Sequence, residues 1–238
     1  CSGNGRDLTL AADAFIADGA LSVSGAPADE ADAAPAYGAD EAIFDFGDKD
    51  FTVQAWVNYD SVDGEQVLVE KFGPGGGGPG WTITKLGNGN LLFWAQGGMP
   101  AVQANAGFVA GTWYHVAFRK SGTALDLMVD GAVIASGDSG GNEITDSPNG
   151  LILGMRNRGD GRGFALNGLI DDVSIWSRAL SNDDIAGLAS GDVSVPAECP
   201  LPPIDFGLAS AWSFDYNGAD CSDNGRDLAI AGDASIVD

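Results

Sequence analysis

Short apolar segments, separated by turns rich in Gly, Asn, Asp and Ser, follow one another along most of the chain. In residues 51–57 (FTVQAWV) apolar side chains alternate with Thr, Gln and Trp, which is the period of a β-strand with one face on a core. Asp130 and Gly131 stand between two apolar runs, and this dipeptide predicts a tight hairpin. The pattern favours an all-β sandwich.

One short helix is predicted near residue 185. Ser181 is the expected N-cap, two aspartates follow it in the first turn, the helix runs to about Ala189, and Gly191 ends it. Residues 26–40 are predicted as a polar loop. The glycine-rich residues 73–80 lack the Gly-Lys-Ser/Thr ending of a phosphate-binding loop, so they are predicted as a flexible hairpin tip. The remaining strands are predicted at Leu8–Leu10, Leu21–Val23, Val67–Lys71, Trp81–Leu86, Leu91–Gln96, Tyr114–Lys120, Ala124–Val129, Ala132–Gly137, Leu151–Met155 and Gly168–Ser177.

The charge and the apolar pattern of the chain argue against nucleic acid as a partner and against membrane insertion. Lys and Arg number 11 against 34 Asp and Glu, which gives a net charge of −23. Such a surface repels phosphate backbones, so no nucleic-acid partner is expected. The sequence contains no run of 18 apolar residues, so no membrane insertion is expected either.

The two ends of the chain are near copies of each other. Residues 1–18 (CSGNGRDLTLAADAFIAD) and 221–238 (CSDNGRDLAIAGDASIVD) are identical at 12 of 18 positions at a constant offset of 220. This period suits one whole domain and indicates an array of repeats. Duplication of a single surface hairpin is the alternative. The chain is therefore predicted to be a portion of something longer.

The repeat also suggests how the three cysteines are used. Cys199 and Cys221 lie 22 residues apart, and Cys1 is the repeat equivalent of Cys221. We predict a disulfide between Cys199 and Cys221, with the partner of Cys1 in a preceding module, and hence an extracellular or cell-surface setting. Three buried free thiols are the alternative.

Four segments together resemble laminin-G-like domains of the concanavalin A-like lectin/glucanase jelly-roll superfamily. They are FTVQAWV at 51–57, GTWYHVAFRK at 111–120, LDLMVDGAVIASG at 125–137 and NGLIDDVSIWSRALSNDDI at 167–185. The opening pattern of that family is similar to residues 208–230. The resemblance implies a two-sheet antiparallel jelly-roll sandwich with one short C-terminal helix, and an extracellular adhesion or glycan-recognition module.

The resemblance also implies a division of the chain. Residues 1–190 form a laminin-G-like jelly-roll that lacks its first strand, residues 191–207 are a linker with four prolines, and residues 208–238 hold the first strand and loop of a following repeat. The missing strand is expected from a preceding module or a neighbouring subunit, by β-strand addition.

A structural calcium ion is implied in the same way, because the Asn-Gly-Arg-Asp loop and the Gly-Leu-Ile-Asp strand are oxygen-rich. A network of Asx turns without metal is the alternative. The predicted calcium ligands are Asn4, Asp7 and Asp171, with Asp215, Asn224 and Asp227 from the second copy.

Residues with possible catalytic chemistry are few. His115 is the only histidine and lies among apolar neighbours without a nearby nucleophile, which predicts a structural role. A glycoside hydrolase needs two carboxylates that face the scissile bond, whereas Asp171 and Asp172 are adjacent on a strand and point to opposite sides. The chain is therefore predicted not to be an enzyme.

Glycan binding would need accessible aromatic rings. Four tryptophans fall in the family's core motifs and are expected to be buried, namely Trp56, Trp113, Trp176 and Trp212. Trp81 and Trp94 are the candidate glycan contacts, with core packing as their alternative role.

Two functions are consistent with these observations. The first is a non-enzymatic extracellular structural or adhesive repeat that forms a fibre or stalk with copies of itself, by strand complementation or tandem linkage. The alternative is a carbohydrate-binding module of a secreted multidomain protein, with surface glycans as partners.

Overall fold

The computed structural model shows two stacked β-sheets and one short helix, as the alternating sequence pattern predicts. The structure describes residues 8–10, 14–17, 20–25, 36–73, 78–157, 162–191, 208–212, 228–230 and 236–237.

Sheet A contains eight strands in the described part of the chain. Its spatial order is β18-β1-β4-β13-β6-β7-β8-β9, and neighbouring strands are antiparallel except for the β18–β1 pair. The strands are β1 (Leu8–Leu10), β4 (Ala36–Tyr37), β6 (Gln66–Phe72), β7 (Gly80–Lys85), β8 (Asn90–Ala95), β9 (Val102–Asn105), β13 (Ile152–Leu153) and β18 (Leu228–Ile230).

Sheet B has the order β12-β11-β10-β5-β16-β3-β2-β19 along its described strands, and β17 also pairs with β16. The described residues also contain a two-stranded ribbon, β14 (Arg156–Asn157) with β15 (Arg162–Gly163), and a 3-10 turn at Ala42–Phe44. The strands of sheet B are β2 (Phe15–Ala17), β3 (Ala20–Ser24), β5 (Phe51–Tyr59), β10 (Trp113–Ser121), β11 (Ala124–Val129), β12 (Ala132–Asp138), β16 (Asn167–Trp176), β17 (Leu208–Trp212) and β19 (Ile236–Val237).

The core lies between the two sheets. The inward residues of β5 are at most 1 % exposed, as the alternation in residues 51–57 predicts. Phe93 of sheet A stacks on Phe118 of sheet B with ring centroids 3.5 Å apart, and Phe51 stacks on Phe46 in the same layer. Aromatic contacts of this kind join the two sheets directly.

Helix α1 (Asn182–Ser190) packs on the outer face of sheet B. Its boundaries confirm the prediction, because the Ser181 hydroxyl accepts from the Asp184 N–H, the Asp184 carboxylate accepts from the Ser181 N–H, and Gly191 ends the helix in the left-handed region. The helix buries Ile185 and Leu188 against Trp176. Among the described residues there is no helix with the length and apolarity that a membrane crossing requires.

Two local predictions need correction. Part of the predicted loop at residues 26–40 is strand β4, which pairs with β1 and β13. The predicted hairpin tip at 73–80 is shorter, because Gly80 is already the first residue of β7 and pairs with Phe72. The hairpin at Asp130 and Gly131 is confirmed, with both residues at positive φ.

The C-terminal segments pair with the rest of the same chain. Strand β17, predicted to start a following repeat, runs antiparallel to residues 173–176 of β16. Strands β18 and β19 run parallel to β1 and β2, with Leu228 opposite Leu8 and Ile236 opposite Ile16. In the β18–β1 and β19–β2 pairs the opposite residues are 220 positions apart in sequence, so these strands of the second copy lie in register beside their equivalents in the first.

Candidate functional site

The two tryptophans predicted to contact glycans lie in different environments. Trp81 is 1 % exposed and belongs to the core, where its indole N–H donates to the carbonyl of Phe44 at 3.3 Å. A ring with no accessible face cannot stack on a sugar, so Trp81 is corrected from a glycan contact to a core residue. Trp94 is only partly buried and points away from the core.

The strand register explains the orientation of Trp94. Its neighbours Phe93 and Ala95 on β8 are core residues, so Trp94 lies on the outer face of sheet A. Thr82 of β7 stands opposite Trp94, and Glu70 of β6 stands opposite Thr82. An aromatic ring, a hydroxyl and a carboxylate therefore form one row across three adjacent strands.

Phe72 supports the indole of Trp94 from the side. The two ring centroids are 5.0 Å apart and the planes meet at 61°, an edge-on contact. Phe72 itself is 1 % exposed and held in the sheet, so it fixes the ring that it touches. A preorganised aromatic surface loses little side-chain entropy when it binds a ligand.

Arg156 lies across the same outer face and links the polar groups. It donates from Nη1 to Glu65 at 2.8 Å, from Nε to Glu70 at 3.3 Å and from Nη2 to the Thr84 hydroxyl at 3.1 Å. Its guanidinium also lies 5.1 Å from the ring centroid of Phe164. Glu70 is fully buried, and the pairing with Arg156 compensates for the loss of hydration of its charge.

A cleft of about 400 Å³ opens beside this network, at the loop that joins β5 to β6. Ser61, Asp63 and Glu65 line it from that loop, and Phe164 and Asn167 line it from the segment before and at the start of β16. Phe164 has φ of 58°, and this left-handed backbone turns its ring towards Arg156. The outer face of sheet A and the cleft thus share the Arg156–Glu65 pair.

Hydroxyl and amide groups continue the face beyond Trp94. Gln103 of β9 lies opposite Leu92, and the Asn90 side chain donates to the Gln103 amide oxygen at 3.1 Å. Thr82 and Thr84 share a hydrogen bond of 2.8 Å on the neighbouring strand, and both are buried. The polar groups near Trp94 that solvent reaches are therefore the amides of Asn90 and Gln103.

The other tryptophans depart in part from the expectation that they are buried. Trp176 is 1 % exposed beneath α1, as expected. Trp113 is 38 % exposed, and Trp56 is only partly buried with its ring edge against His115. Both lie on the outer face of sheet B, because alternate residues of their strands point inward. The side chain of Trp212 lies outside the described residues.

His115 is a buried residue. It is fully shielded from solvent, and burial lowers its pKa to about 4. Neither ring nitrogen has a hydrogen-bond partner among the described residues. A neutral imidazole packed beside Trp56 agrees with the structural role that the sequence predicts.

The predicted calcium set falls mostly outside the described residues, as do the three cysteines. Asn4, Asp7, Asp215, Asn224 and Asp227 are not described, and neither are Cys1, Cys199 and Cys221. Asp171 is described, and its carboxylate accepts from the Asp172 N–H at 2.7 Å. The described residues contain no group of three or more potential metal ligands, so they do not by themselves form a calcium site. The calcium ion and the disulfide stay predictions.

Three aspartates do converge at another end of the sandwich, but on a lysine. Lys71 is 1 % exposed, and its ammonium binds Asp40 at 2.9 Å, Asp146 at 3.1 Å and also Asp45. The carbonyl of Ser147 is a fourth acceptor. The ammonium supplies the positive charge that these carboxylates require.

Comparison with known proteins establishes the family. The model of the concanavalin A-like lectin/glucanases superfamily matches residues 33–186, which is more than half of the chain. The chain belongs to this superfamily. The laminin-G-like resemblance and the jelly-roll sandwich predicted from sequence are thereby confirmed. No curated protein sequence matches the chain.

Solved structures with a similar fold include three binding domains. The binding domain of botulinum neurotoxin serotype G has a TM-score of 0.59 at 11 % identity over 80 % of this chain and 47 % of its own length. The corresponding domain of serotype D gives 0.59 at 14 % identity over 79 % and 46 %. The CBM40 module of the Ruminococcus gnavus IT-sialidase, bound to α2,3-sialyllactose, gives 0.53 at 14 % identity over 60 % and 84 %. The chain spans about half the length of the two toxin domains. At these identities the likeness establishes the fold alone.

Proposed function

We propose that this chain is an extracellular carbohydrate-binding module that holds its ligand on the outer face of sheet A. The observation that carries the proposal is the environment of Trp94, a partly exposed indole that is fixed by Phe72 and lies on the same face as the amides of Asn90 and Gln103. Carbohydrates present apolar C–H faces and polar hydroxyl rims. A rigid aromatic ring with neutral hydrogen-bonding groups around it matches both.

The polar groups of the face would set the orientation of the sugar. Gln103 and Asn90 provide amides on one side of Trp94, and the Arg156–Glu65 pair and the cleft lie on the other. An elongated oligosaccharide would reach from the indole towards the cleft. The role of the CBM40 neighbour, solved with sialyllactose, supports a glycan as the ligand class. We propose a binding role and no catalytic one.

The proposal is tested by screening the full chain on an array of neutral and sialylated oligosaccharides, followed by calorimetric titration of the best ligand. Trp94→Ala should weaken binding about tenfold or more, because a central aromatic anchor is worth about 2 kcal/mol. Trp94→Phe should retain part of the affinity. Val133→Ala is the control, since it truncates a 48 % exposed side chain on edge strand β12 of the other sheet, outside the proposed site. Unchanged affinity in Trp94→Ala would refute the role of this face.

A structural role as a repeat in a fibre or stalk is the second candidate. It is favoured by one observation, the pairing of β17 with β16 and of β18 and β19 with their repeat equivalents. The same strand slots could be filled from a neighbouring copy, since strand addition uses backbone hydrogen bonds that any chain provides. Electron microscopy and sedimentation of the full chain distinguish the two: regular end-to-end assemblies support the fibre, and monomers at all concentrations oppose it.

A further inference from the structure

The outer face of sheet B carries a row of side chains that belong neither to the core nor to the proposed glycan site on sheet A. Trp113 of β10 pairs with Asn58 of β5, and Asn58 pairs with Leu169 of β16. Leu169 pairs in turn with Ser22 of β3, and Ser22 with Phe15 of β2. Residues directly opposite each other in antiparallel strands project to the same face. The five side chains therefore form one line across five strands.

Both ends of this line are accessible aromatic rings. Trp113 is 38 % exposed and Phe15 is 37 % exposed, although most large apolar side chains of the described residues are buried. Helix α1 covers Ala117, Met128 and Trp176 and so occupies only the other end of the same face. The row at Trp113 is left uncovered by α1.

The dimensions suit an extended ligand. Neighbouring strands are about 4.8 Å apart, so the four steps from β10 to β2 place the two aromatic residues roughly 19 Å from each other. Asn58, Leu169 and Ser22 lie between them and alternate amide, aliphatic and hydroxyl groups. Trp56, two residues before Asn58 on β5 and on the same face, is partly buried and broadens the surface near Trp113.

We propose that this row is a second carbohydrate-contact surface, on which a neutral polysaccharide chain lies flat across the strands of sheet B. For the class of ligand the proposal rests on the carbohydrate-binding function above, but its site is independent of Trp94. The two sheets of the sandwich would then present one glycan-binding face each.

Charge argues for an uncharged ligand. None of the five residues of the row is charged, whereas the whole chain carries −23 and would repel an acidic polymer. His115, beside Trp56 on the neighbouring strand, is neutral above its pKa of about 4. Two acidic groups lie near this row: Asp171, opposite Trp56 on the other side, and Asp130, which accepts from the His115 backbone N–H at 2.9 Å.

The spacing of the apolar groups argues against a protein partner. Protein interfaces have a contiguous apolar centre with a polar rim. Here polar side chains separate the aromatic rings, and Leu169 between them is only partly exposed. Isolated rings separated by hydrogen-bonding groups match a polymer whose units alternate apolar faces and hydroxyl edges.

The test is adsorption of the full chain to microcrystalline cellulose and to α-chitin, measured by depletion from solution. Trp113→Ala and Phe15→Ala should each raise the dissociation constant about tenfold, and Trp113→Phe should retain most of the affinity. Val133→Ala, which truncates a 48 % exposed side chain on edge strand β12, is the control and should leave adsorption unchanged. Circular dichroism melts confirm that the variants are folded.

The proposal is overturned if the wild-type chain adsorbs to neither polymer, or if Trp113→Ala and Phe15→Ala both adsorb as strongly as wild type. It is also overturned if Val133→Ala loses as much adsorption affinity as the two aromatic variants. Trp94→Ala separates this surface from the first one. Loss of soluble-oligosaccharide binding in Trp94→Ala with normal adsorption to the polymers assigns the two ligands to the two sheets. Normal oligosaccharide binding in Trp94→Ala together with lost adsorption in Trp113→Ala refutes the first site and supports the second.

Discussion

The ammonium group of Lys71 lies 2.9 Å from the carboxylate of Asp40, although the lysine side chain is almost completely buried. Two of the other three lysines in the chain have a comparable position. Lys85 is fully buried and donates to the carbonyls of Val62 and Gly64, and Lys120 donates to those of Asp48 and Gly122. The chain has a net charge of −23, and three of its four lysines thus act as internal cations that bind loop oxygens.

Lys71→Met should destabilise the fold by about 2–4 kcal/mol, because it leaves Asp40, Asp45 and Asp146 close together without a counter-charge. Urea unfolding at pH 7 measures the effect. Lys49→Met is the matched control, since Lys49 is exposed and should change the free energy of unfolding by less than about 0.5 kcal/mol. Equal effects in the two variants would contradict the role of Lys71.

The cost of Lys71→Met should decrease in acid. Burial alone would lower the pKa of Lys71, but hydrogen bonds with the three aspartates raise it, so the lysine stays charged at all lower pH values. The hydrogen bond with Asp45 and the bond with Lys71 lower the pKa of Asp146, so the contribution of Asp146 is present above its unfolded pKa and is lost as the pH falls through the lower folded value. The difference in free energy of unfolding between Lys71→Met and wild type, measured by urea unfolding, should therefore be smaller at pH 3 than at pH 7.

His115 should make the fold sensitive to mild acid. Burial lowers its folded pKa to about 4, whereas the unfolded chain has a value of about 6.5. Between these values the unfolded state takes up a proton that the folded state does not, so stability falls by up to about 3 kcal/mol as the pH drops from 6.5 to 4. Because His115 is the only histidine, His115→Phe should flatten this part of the stability curve measured by urea unfolding. An unchanged slope would show that other groups control it.

The fold was predictable because its signals are local. Alternation in residues 51–57, the Asp130–Gly131 turn and the Ser181 cap each depend on neighbours in sequence, and all three are confirmed. Strand β4, by contrast, lies in a segment predicted as a loop, because its two residues are too short to show any alternation. Its existence depends on hydrogen bonds to β1 and β13, which are distant in sequence and which no local pattern records.

The candidate site was predictable only in part, because exposure is set by what covers a residue. Trp81 and Trp94 both lie in predicted strands, but the register places one inward and the other outward. Trp113 matches a family core motif and is nevertheless exposed, since α1 covers a different part of sheet B. Arg156 gave no signal at all, because Glu65 and Glu70 are more than 80 residues away in sequence.

Gly80→Ala should unfold the protein or cost more than about 3 kcal/mol. Gly80 has φ of 114°, and an added Cβ would lie 1.9 Å from the carbonyl oxygen of Lys71, so the β6–β7 pair would have to separate. Gly122→Ala is the control, because Gly122 has φ of 58° with open space around it and should cost only about 1–2 kcal/mol. Thermal melts that show equal losses would mean that backbone strain, and not the close approach, is responsible.

Calcium should raise the melting temperature if the predicted ligand set forms a site. Binding to the folded state alone stabilises it by about 2.7 kcal/mol at a hundredfold excess over the dissociation constant. Melts in excess calcium and in excess EGTA measure the difference, and Asp171→Asn should reduce it. Asp183→Asn, in the exposed first turn of α1, is the control. Identical melts of the wild-type chain with and without calcium would refute the metal site.

Ser181→Ala should lower the free energy of unfolding by about 1 kcal/mol. The variant loses the hydroxyl that accepts from the Asp184 N–H, and α1 then begins with an unsatisfied donor. Burial alone would raise the pKa of Asp184, but hydrogen bonds from Ser181 and Arg178 outweigh burial and lower this pKa. The cap of the wild-type helix therefore contributes its full stability above the unfolded pKa of an aspartate, and this stability is lost as the pH falls through the lower folded value. The difference in free energy of unfolding between Ser181→Ala and wild type should thus become smaller in acid.

Asn182→Ala is the control for the cap. Asn182 is the first residue of the helix and is exposed, so this variant should have a free energy of unfolding within about 0.5 kcal/mol of wild type. Since α1 seals Trp176 against sheet B, a loss in Ser181→Ala without any change in the fluorescence of the folded state would confirm that the cap stabilises the helix and does not position it.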